Sequence, residues 1–369
     1  MIVQKRTFSI KELELQSGST LRDVEIGYET YGSLDAAGTN AILVTHYFSG
    51  SSHAAGRFHE NDPEPGYWDS IIGPGKPIDT DRYFVVSSDV LSNMTPKLEH
   101  VVTTGPASID PDTGRPYGSS FPLVTIGDFV EVQKQLCDSL GIKRLHAVAG
   151  PSMGALQALE WSARFPDFVD RVVAAIGAGL TAEPFLISMV ESWRSIVELD
   201  PHFNGGDYYG QREPERGLAE ALKLITLTAL HPLNTKRLFG GKSHARWSDP
   251  AIDPISTLAN GFAIDQSLTE LARDRARLCD ANSLIRLVKA VQLFSVRERV
   301  PKMRAKFLFL SISTDVMMYP EYSRRGADEL RAAGLSMESH MIDSDGGHLD
   351  GLSQIWRASE QIRSFLGAF

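Results

Sequence analysis

The pentapeptide Gly150-Pro151-Ser152-Met153-Gly154 sets one serine where an apolar run, LHAVAG (145 to 150), gives way to a helical pattern, ALQALEWSARF (155 to 165). A hydroxyl at such a junction faces a ligand only if the chain turns sharply. A sharp turn crowds the positions two residues away, and glycine at 150 and 154 relieves that crowding. The helix that follows turns a backbone N–H, that of Met153, toward any negative charge developing on a substrate oxygen. The chemistry implied is attack of Ser152 on an acyl carbon. A match this short also arises by chance in 369 residues. The competing reading is a serine that only caps the helix.

A serine hydroxyl is inert until a base takes its proton and an acid orients that base, so an aspartate and a histidine are expected further along, at strand ends. Asp315 follows the apolar run KFLFLSIST directly, and His348 lies in the glycine-rich IDSDGGHLDG after the strand-like SMESHMI. The order Ser, Asp, His is the one an α/β-hydrolase sheet requires. Asp343 and Asp345 stand closer to His348 in sequence and compete for the acid's role; Asp315 competes with being a plain turn residue, and His348 with being a surface histidine. A second oxyanion donor is expected after an early strand, where THYFSGSS (45 to 52) follows AILV, and the N–H of Phe48 is the candidate beside that of Met153. His46 is expected to shape this loop rather than to act as a base.

These residues need a sheet to carry them. Short apolar, β-branched runs recur at 41 to 47, 82 to 90, 145 to 150, 171 to 177 and 306 to 313, which suits strands covered on both faces. Helical patterns at 129 to 141, 155 to 165 and 324 to 334 alternate with them, which argues a mostly parallel, doubly wound α/β sheet. Between about 180 and 300 the rhythm breaks into helix-like stretches such as 217 to 233 and 281 to 296. The expected organisation is an α/β core over 1–179 and 301–369 with a helical lid over 180–300. The segment from 49 to 120, rich in Gly, Pro, Ser and Asp, is expected to loop over a site.

Composition removes other classes. The charge balance is 37 minus 46, or −9, with no basic cluster, which gives nucleic acid nothing to hold. No apolar run approaches the roughly 20 residues of a membrane span, and the N-terminal stretch has no apolar signal core, so a cytoplasmic protein is expected. Cys137 and Cys279 sit in helical patterns and read as buried thiols. The ten histidines show no ligand spacing, so no metal is expected. GGKS (240 to 243) lacks the glycine of a phosphate loop, with Lys236 in its place, and GGDYYG (205 to 210) reads as a structural turn ahead of an aromatic binding patch.

With these pieces placed, the chain resembles the homoserine acetyltransferase family of α/β-hydrolases along nearly its whole length. Beyond the serine turn, YWDSIIGPGKPIDTDRYFVV (67 to 86), TGPASIDPDTGRPYGSSFPLVTIGD (104 to 128) and DPHFNGGDYYG (200 to 210) carry the likeness. The resemblance implies an α/β-hydrolase fold, the triad Ser152, Asp315 and His348, and an oxyanion loop at Phe48. It also implies an Arg and a Tyr on a lid helix, and an Asp after the histidine, to hold the amino-acid acceptor. Here Leu222, Ala229 and Leu349 stand at those positions, with Asp350 one residue late, and they are expected to line a pocket for an uncharged group. Pro151 and Ala155 replace glycines usual in the turn, and SNMTPKLEHVVT (92 to 103) replaces the family's Gly-Cys-x-Gly-Ser stretch.

Loss of the acceptor's charged partners removes contacts worth about 1.5 to 3 kcal/mol each. Water then has the advantage over a bound alcohol, and a carboxylesterase acting on short-chain esters is the expected activity, without cofactor. Homoserine or another alcohol O-acetyltransferase, with acetyl-CoA as donor and Asp350, Arg212 or Arg216 supplying the missing contacts, is the alternative. A non-catalytic binding protein on the same fold is a third. The family's habit of dimerising through lid helices makes a homodimer an expectation, with the apolar face of 281 to 296 as one contact and burial of that face inside the lid as the other outcome.

Overall fold

A computed structural model describes residues 1–239, 251, 255–258 and 261–367. The GGKS stretch lies outside them. In chain order the strands are β1 (Arg6–Glu14), β2 (Thr20–Tyr31), β3 (Ala41–Thr45), β4 (Ile72–Gly73), β5 (Ile78–Asp79), β6 (Phe84–Ser88), β7 (Leu145–Pro151), β8 (Arg171–Ala175), β9 (Lys306–Ile312) and β10 (Met337–Ile342). The α-helices are α1 (Ile126–Ser139), α2 (Met153–Arg164), α3 (Pro184–Glu198), α4 (Glu215–Ala229), α5 (Pro232–Phe239), α6 (Ala263–Ala276), α7 (Ala281–Gln292), α8 (Pro320–Ala332), α9 (Asp350–Ser353) and α10 (Ser359–Leu366).

Among the described residues, eight strands form one sheet in the order β1-β2-β6-β3-β7-β8-β9-β10. From β6 to β10 neighbouring strands run parallel, while β1 and β2 add an antiparallel edge. The central strands are apolar on both sides because both sides are covered. Leu43, Val148, Val172, Phe307 and Phe309 belong to one buried cluster, whereas Ile42, Val44, Ala147, Ala149, Val173, Leu308 and Leu310 belong to the other. Alternate residues of each strand thus enter opposite cores, as the two-residue side-chain period demands. α1, α2 and α8 fill the first core; Trp68, Ile71 and α10 fill the second.

Helices α3 to α7 all fall between β8 and β9, where the expected lid lies. The apolar faces of α3, α4 and α7 join the first core: Leu186, Val190 and Trp193 of α3, Leu218 and Leu222 of α4, and Leu284, Leu287 and Val288 of α7 share one cluster with the sheet. Of the apolar face of 281 to 296, Leu284, Ile285, Leu287, Val288 and Val291 are buried within the chain, while Leu293 is exposed. Exposed apolar residues elsewhere on the insertion include Phe185, Leu199, Leu227, Leu233, Leu271 and Leu278. GGDYYG is the structural turn: Tyr208 and Tyr209 both donate hydroxyl protons to Asp280 Oδ1, at 2.6 and 2.9 Å. This pins the loop before α4 to the start of α7.

Among the described residues no helix is long and apolar enough to cross a membrane, and no group of three or more His, Cys, Asp or Glu could hold a metal ion. Cys137 and Cys279 are free and buried, and burial pushes their thiols up to about 12 and about 11. A thiolate fraction that small makes both sluggish nucleophiles. Native protein is expected to react with a chromogenic disulfide reagent at pH 8 at least about 100-fold more slowly than urea-unfolded protein, with two thiols titrated only after unfolding.

Candidate active site

Four parallel strands end on the same edge of the sheet, and the loop after each carries one part of the site, as open α/β sheets favour. β7 ends at Pro151, and Ser152 follows with φ +57° and ψ −120° before α2 begins at Met153. This left-handed backbone is held by the Ser152 N–H, which donates to Ala175 O of β8 at 2.9 Å. Glycine is required on either side: a side chain on Gly150 would collide with Thr45 Oγ1 and the Gly154 carbonyl, and one on Gly154 would collide with the Thr45 carbonyl. Thr45, at the end of β3, also donates its hydroxyl to Gly154 O at 2.8 Å and so locks the turn to the neighbouring strand. Ser152 makes no side-chain cap bond to α2, so it is not the capping serine of the competing reading.

His348 Nε2 lies 2.9 Å from Ser152 Oγ, and His348 Nδ1 lies 2.7 Å from Asp315 Oδ2. All three residues are buried. The carboxylate accepts at Nδ1, so that nitrogen carries the proton and Nε2 offers its lone pair to the serine hydroxyl. Asp315 Oδ1 accepts from the backbone N–H groups of Met317 and Met318, both at 2.9 Å, which fixes the carboxylate plane. Asp343 accepts from Ser313 Oγ at 2.9 Å, and Asp343 and Asp345 are both exposed. The nearer aspartates are therefore not the histidine's partner.

The loop that carries His348 is shaped by residues around it. Gly347 turns it at φ +79° and donates to Thr314 Oγ1 at 3.2 Å. Asp350 Oδ2 accepts from Gly346 N at 2.8 Å and from Ser344 Oγ, while its Oδ1 accepts from Ser353 Oγ at 2.8 Å. Both Asp350 oxygens are thus engaged in closing its own loop. Trp68 Nε1 donates to Gly351 O at 3.2 Å and ties this loop to the 49 to 120 segment.

Phe48 follows β3, and no acceptor among the described residues takes its N–H; the N–H of Met153 is the first of α2, which helix geometry leaves without an internal partner. His46 shapes this loop as expected: it is wholly buried, its Nδ1 donates to Tyr47 O at 2.7 Å, and its Nε2 accepts from Asn93 Nδ2 at 3.4 Å. Burial holds its pKa below the usual imidazole range, which keeps the ring neutral. Asn93 also donates to Gly50 O at 3.0 Å, and Gln157 of α2 donates to His46 O at 3.2 Å. The Phe48 ring meets Trp193 of α3 edge-on at 5.6 Å, which links the oxyanion loop to the insertion. Asn93 and Thr45 were not singled out by sequence reading; the only signal for Asn93 is its place in the 92 to 103 stretch that departs from the family.

The three expected pocket residues do not share one environment. Leu222 is fully buried in the main core, and Leu349 is 39% exposed. Ala229, 4% exposed, borders the histidine loop, since a side chain on Gly347 would stand 2.8 Å from its carbonyl oxygen. Arg212 and Arg216 are both exposed.

Residues 73–353 match the alpha/beta hydrolase fold family. The homoserine O-acetyltransferase of Symbiobacterium thermophilum is 40% identical over 366 residues, covering 96% of this chain and 91% of that protein. The crystal structure of esterase E22 superposes with a TM-score of 0.94 at 41% identity, covering 99% of this chain and 100% of that one. That of homoserine O-acetyltransferase from Bacillus anthracis superposes with a TM-score of 0.94 at 33% identity, covering 100% and 98%. With its sheet, its serine turn and these relatives, the chain belongs to the homoserine O-acetyltransferase family of α/β-hydrolases.

Proposed function

We propose that the protein is a serine carboxylesterase acting on short-chain esters through an acyl-serine intermediate. The observation that carries this reading is a hydrogen-bonded Ser152–His348–Asp315 chain beside positions where an acceptor's charged partners are missing. Ser152 Oγ attacks the ester carbonyl while its proton passes to His348 Nε2, and the N–H groups of Phe48 and Met153 receive the oxyanion. The C–O bond to the alcohol breaks, and the alcohol leaves with the proton from His348. Water then repeats the sequence: His348 takes its proton, its oxygen attacks the acyl carbon, and Ser152 regains its hydrogen as the carboxylic acid departs. Asp315 holds the tautomer and the charge of the imidazolium throughout.

Hydrolysis is favoured over transfer because nothing in this set grips an alcohol as tightly as a charged pair would. The second reading, O-acetyl transfer to homoserine, is favoured by the names of relatives such as that of S. thermophilum. Incubation with p-nitrophenyl acetate, and separately with acetyl-CoA plus homoserine, separates the two. Fast release of p-nitrophenol without O-acetylhomoserine is the expected result; homoserine-dependent release of CoA at a comparable rate would overturn it.

Leu349 offers a further check. Its side chain is 39% exposed and tolerates a charge, whereas a charge at the fully buried Leu222 would not be tolerated. Leu349→Asp supplies one partly solvated carboxylate for an acceptor amine, a contact worth about 1 to 1.5 kcal/mol, and is expected to raise the ratio of acetyl transfer to hydrolysis by about 5- to 10-fold. Product ratios with homoserine at saturating ester measure it, and an unchanged ratio would show that this position does not face the acceptor.

A further inference from the structure

We propose that Gln157 is a positioning residue of the oxyanion site: its side-chain amide spans the two segments that carry the Phe48 and Met153 N–H groups and fixes one against the other. Gln157 lies on α2 one turn after Met153 and is fully buried, and its Nε2 donates to His46 O at 3.2 Å and to Met153 O at 3.4 Å. The two hydrogens of one NH₂ group thus hold both segments. They approach closely along this line, since a side chain on Gly154 would collide with Thr45 O and stand 3.2 Å from His46 O. From His46 the hold passes to the donor itself. Tyr47 O and the Phe48 N–H belong to one planar trans peptide group and point in opposite directions. His46 Nδ1 donates to that oxygen at 2.7 Å and Gly50 N at 2.9 Å, so the direction of the Phe48 N–H follows from where His46 sits.

A chain of buried groups behind the Gln157 amide gives it its sense. Flipped end for end, the amide would set Oε1 against His46 O, oxygen against oxygen, so the arrangement needs a device that forbids the flip. The indole of Trp161, one turn further along α2, can only donate, and its Nε1 donates to Gln133 Oε1 of α1 at 2.7 Å. Gln133 must then present its NH₂ to the other side, where its Nε2 donates to Gln157 Oε1 at 2.7 Å. The Gln157 NH₂ is left facing His46 O. Gln133 and Trp161 are as buried as Gln157, and a buried amide pair costs stability unless its groups are matched in this way. α1 and α2 also bury Phe129, Leu136, Leu156 and Leu159, so apolar packing of the two helices does not by itself require two glutamines. The polarity set by one indole reaches the oxyanion site through them.

The inference rests on the acyl-serine reading, because an oxyanion forms only if Ser152 attacks a carbonyl. Two readouts separate aim from stability. One is kcat and KM for p-nitrophenyl acetate. The other is the inhibition constant of trifluoroacetone, whose carbonyl carbon takes Ser152 Oγ while the C=O electron pair moves onto its oxygen and the serine proton passes to His348 Nε2. Gln157→Met, of similar length but without a donor, is expected to lower kcat about 10- to 100-fold with KM changed less than about 2-fold, and to weaken the ketone by a similar factor; outright loss of one oxyanion donor costs about 10²- to 10³-fold. Gln133→Met, which touches neither segment and frees the Gln157 amide to flip, is expected to lower kcat and ketone affinity about 3- to 10-fold. A residue that served stability alone would lower the unfolding temperature and leave both readouts of the folded protein in place. Readouts unchanged within about 2-fold in Gln157→Met overturn the proposal, and so does a fall in kcat that the ketone does not follow. Should that variant fail to fold, unchanged readouts in Gln133→Met overturn it equally. If the unaltered enzyme hydrolyses no ester while trifluoroacetone still binds with an affinity that depends on Gln157, the esterase reading fails and the positioning role stands.

Discussion

Ser152→Ala is expected to lower hydrolysis of p-nitrophenyl acetate by about 10⁴- to 10⁶-fold, the loss that removal of a nucleophile causes when the oxyanion donors are left in place. The same substitution is expected to change stability by less than about 0.5 kcal/mol, because the hydroxyl makes no cap bond to α2 and alanine meets the same φ of +57° that serine does. The two measurements together decide between the roles of this residue. A capping serine would cost about 1 kcal/mol on replacement and leave turnover intact. A nucleophile gives the opposite pattern, read by steady-state rates and by thermal unfolding of the same preparation. Covalent labelling by a fluorophosphonate, followed by peptide mass spectrometry, should place the adduct on Ser152 and vanish in the variant; retained turnover in the variant would remove the assignment.

The serine turn was legible because its cause is local. Gly150 and Gly154 are demanded by atoms of Thr45 and of the turn itself, and near-continuous apolar runs announced β3, β6, β7, β8 and β9 since both faces of each are covered. The order of Asp315 and His348 behind strand ends was legible for the same reason. β1 and β2 were not: in β1 only Ile10 and Leu13 are buried, three residues apart, and β2 buries Leu21, Val24, Ile26 and Tyr31 at uneven spacing among charged residues, so neither shows a clean two-residue period. α3 and α6 also escaped notice, since their apolar residues are claimed by contacts that only the folded insertion makes.

Side-chain partners were harder still. The role of Asp350 in closing the loop over Gly346 depends on an exchange with Ser344 that spacing alone does not display. Asn93 donates to His46 across 47 residues of chain, and Arg275 of α6 donates to Thr226 of α4 across 49. Sequence supplies the types of these residues and not their meetings. Leu222, Ala229 and Leu349 are grouped by likeness to a family, and the fold gives them burial, a loop contact and exposure respectively.

Asp315→Asn is the second large effect. The carboxylate now accepts three hydrogens, one from His348 Nδ1 and two from the backbone of Met317 and Met318. An asparagine can satisfy that set only in part. If its amide oxygen stays toward Met317 and Met318, its NH₂ faces His348 and forces Nδ1 to become the acceptor; the proton then moves to Nε2, which can no longer take one from Ser152. If the amide flips, the histidine keeps its tautomer but two backbone donors face an NH₂ group, and the negative charge that stabilises the imidazolium is lost in either case. The first arrangement keeps three good hydrogen bonds and is expected to prevail. The rate of ester hydrolysis should then fall by about 10⁴-fold near neutral pH, with the folded structure intact. Asp315→Ala, which leaves the imidazole free to choose its tautomer, is expected to lose no more than the asparagine variant despite removing more atoms. A loss of less than about 10-fold in Asp315→Asn would mean that another carboxylate orients His348, and Asp343→Asn would then be the variant that silences the enzyme.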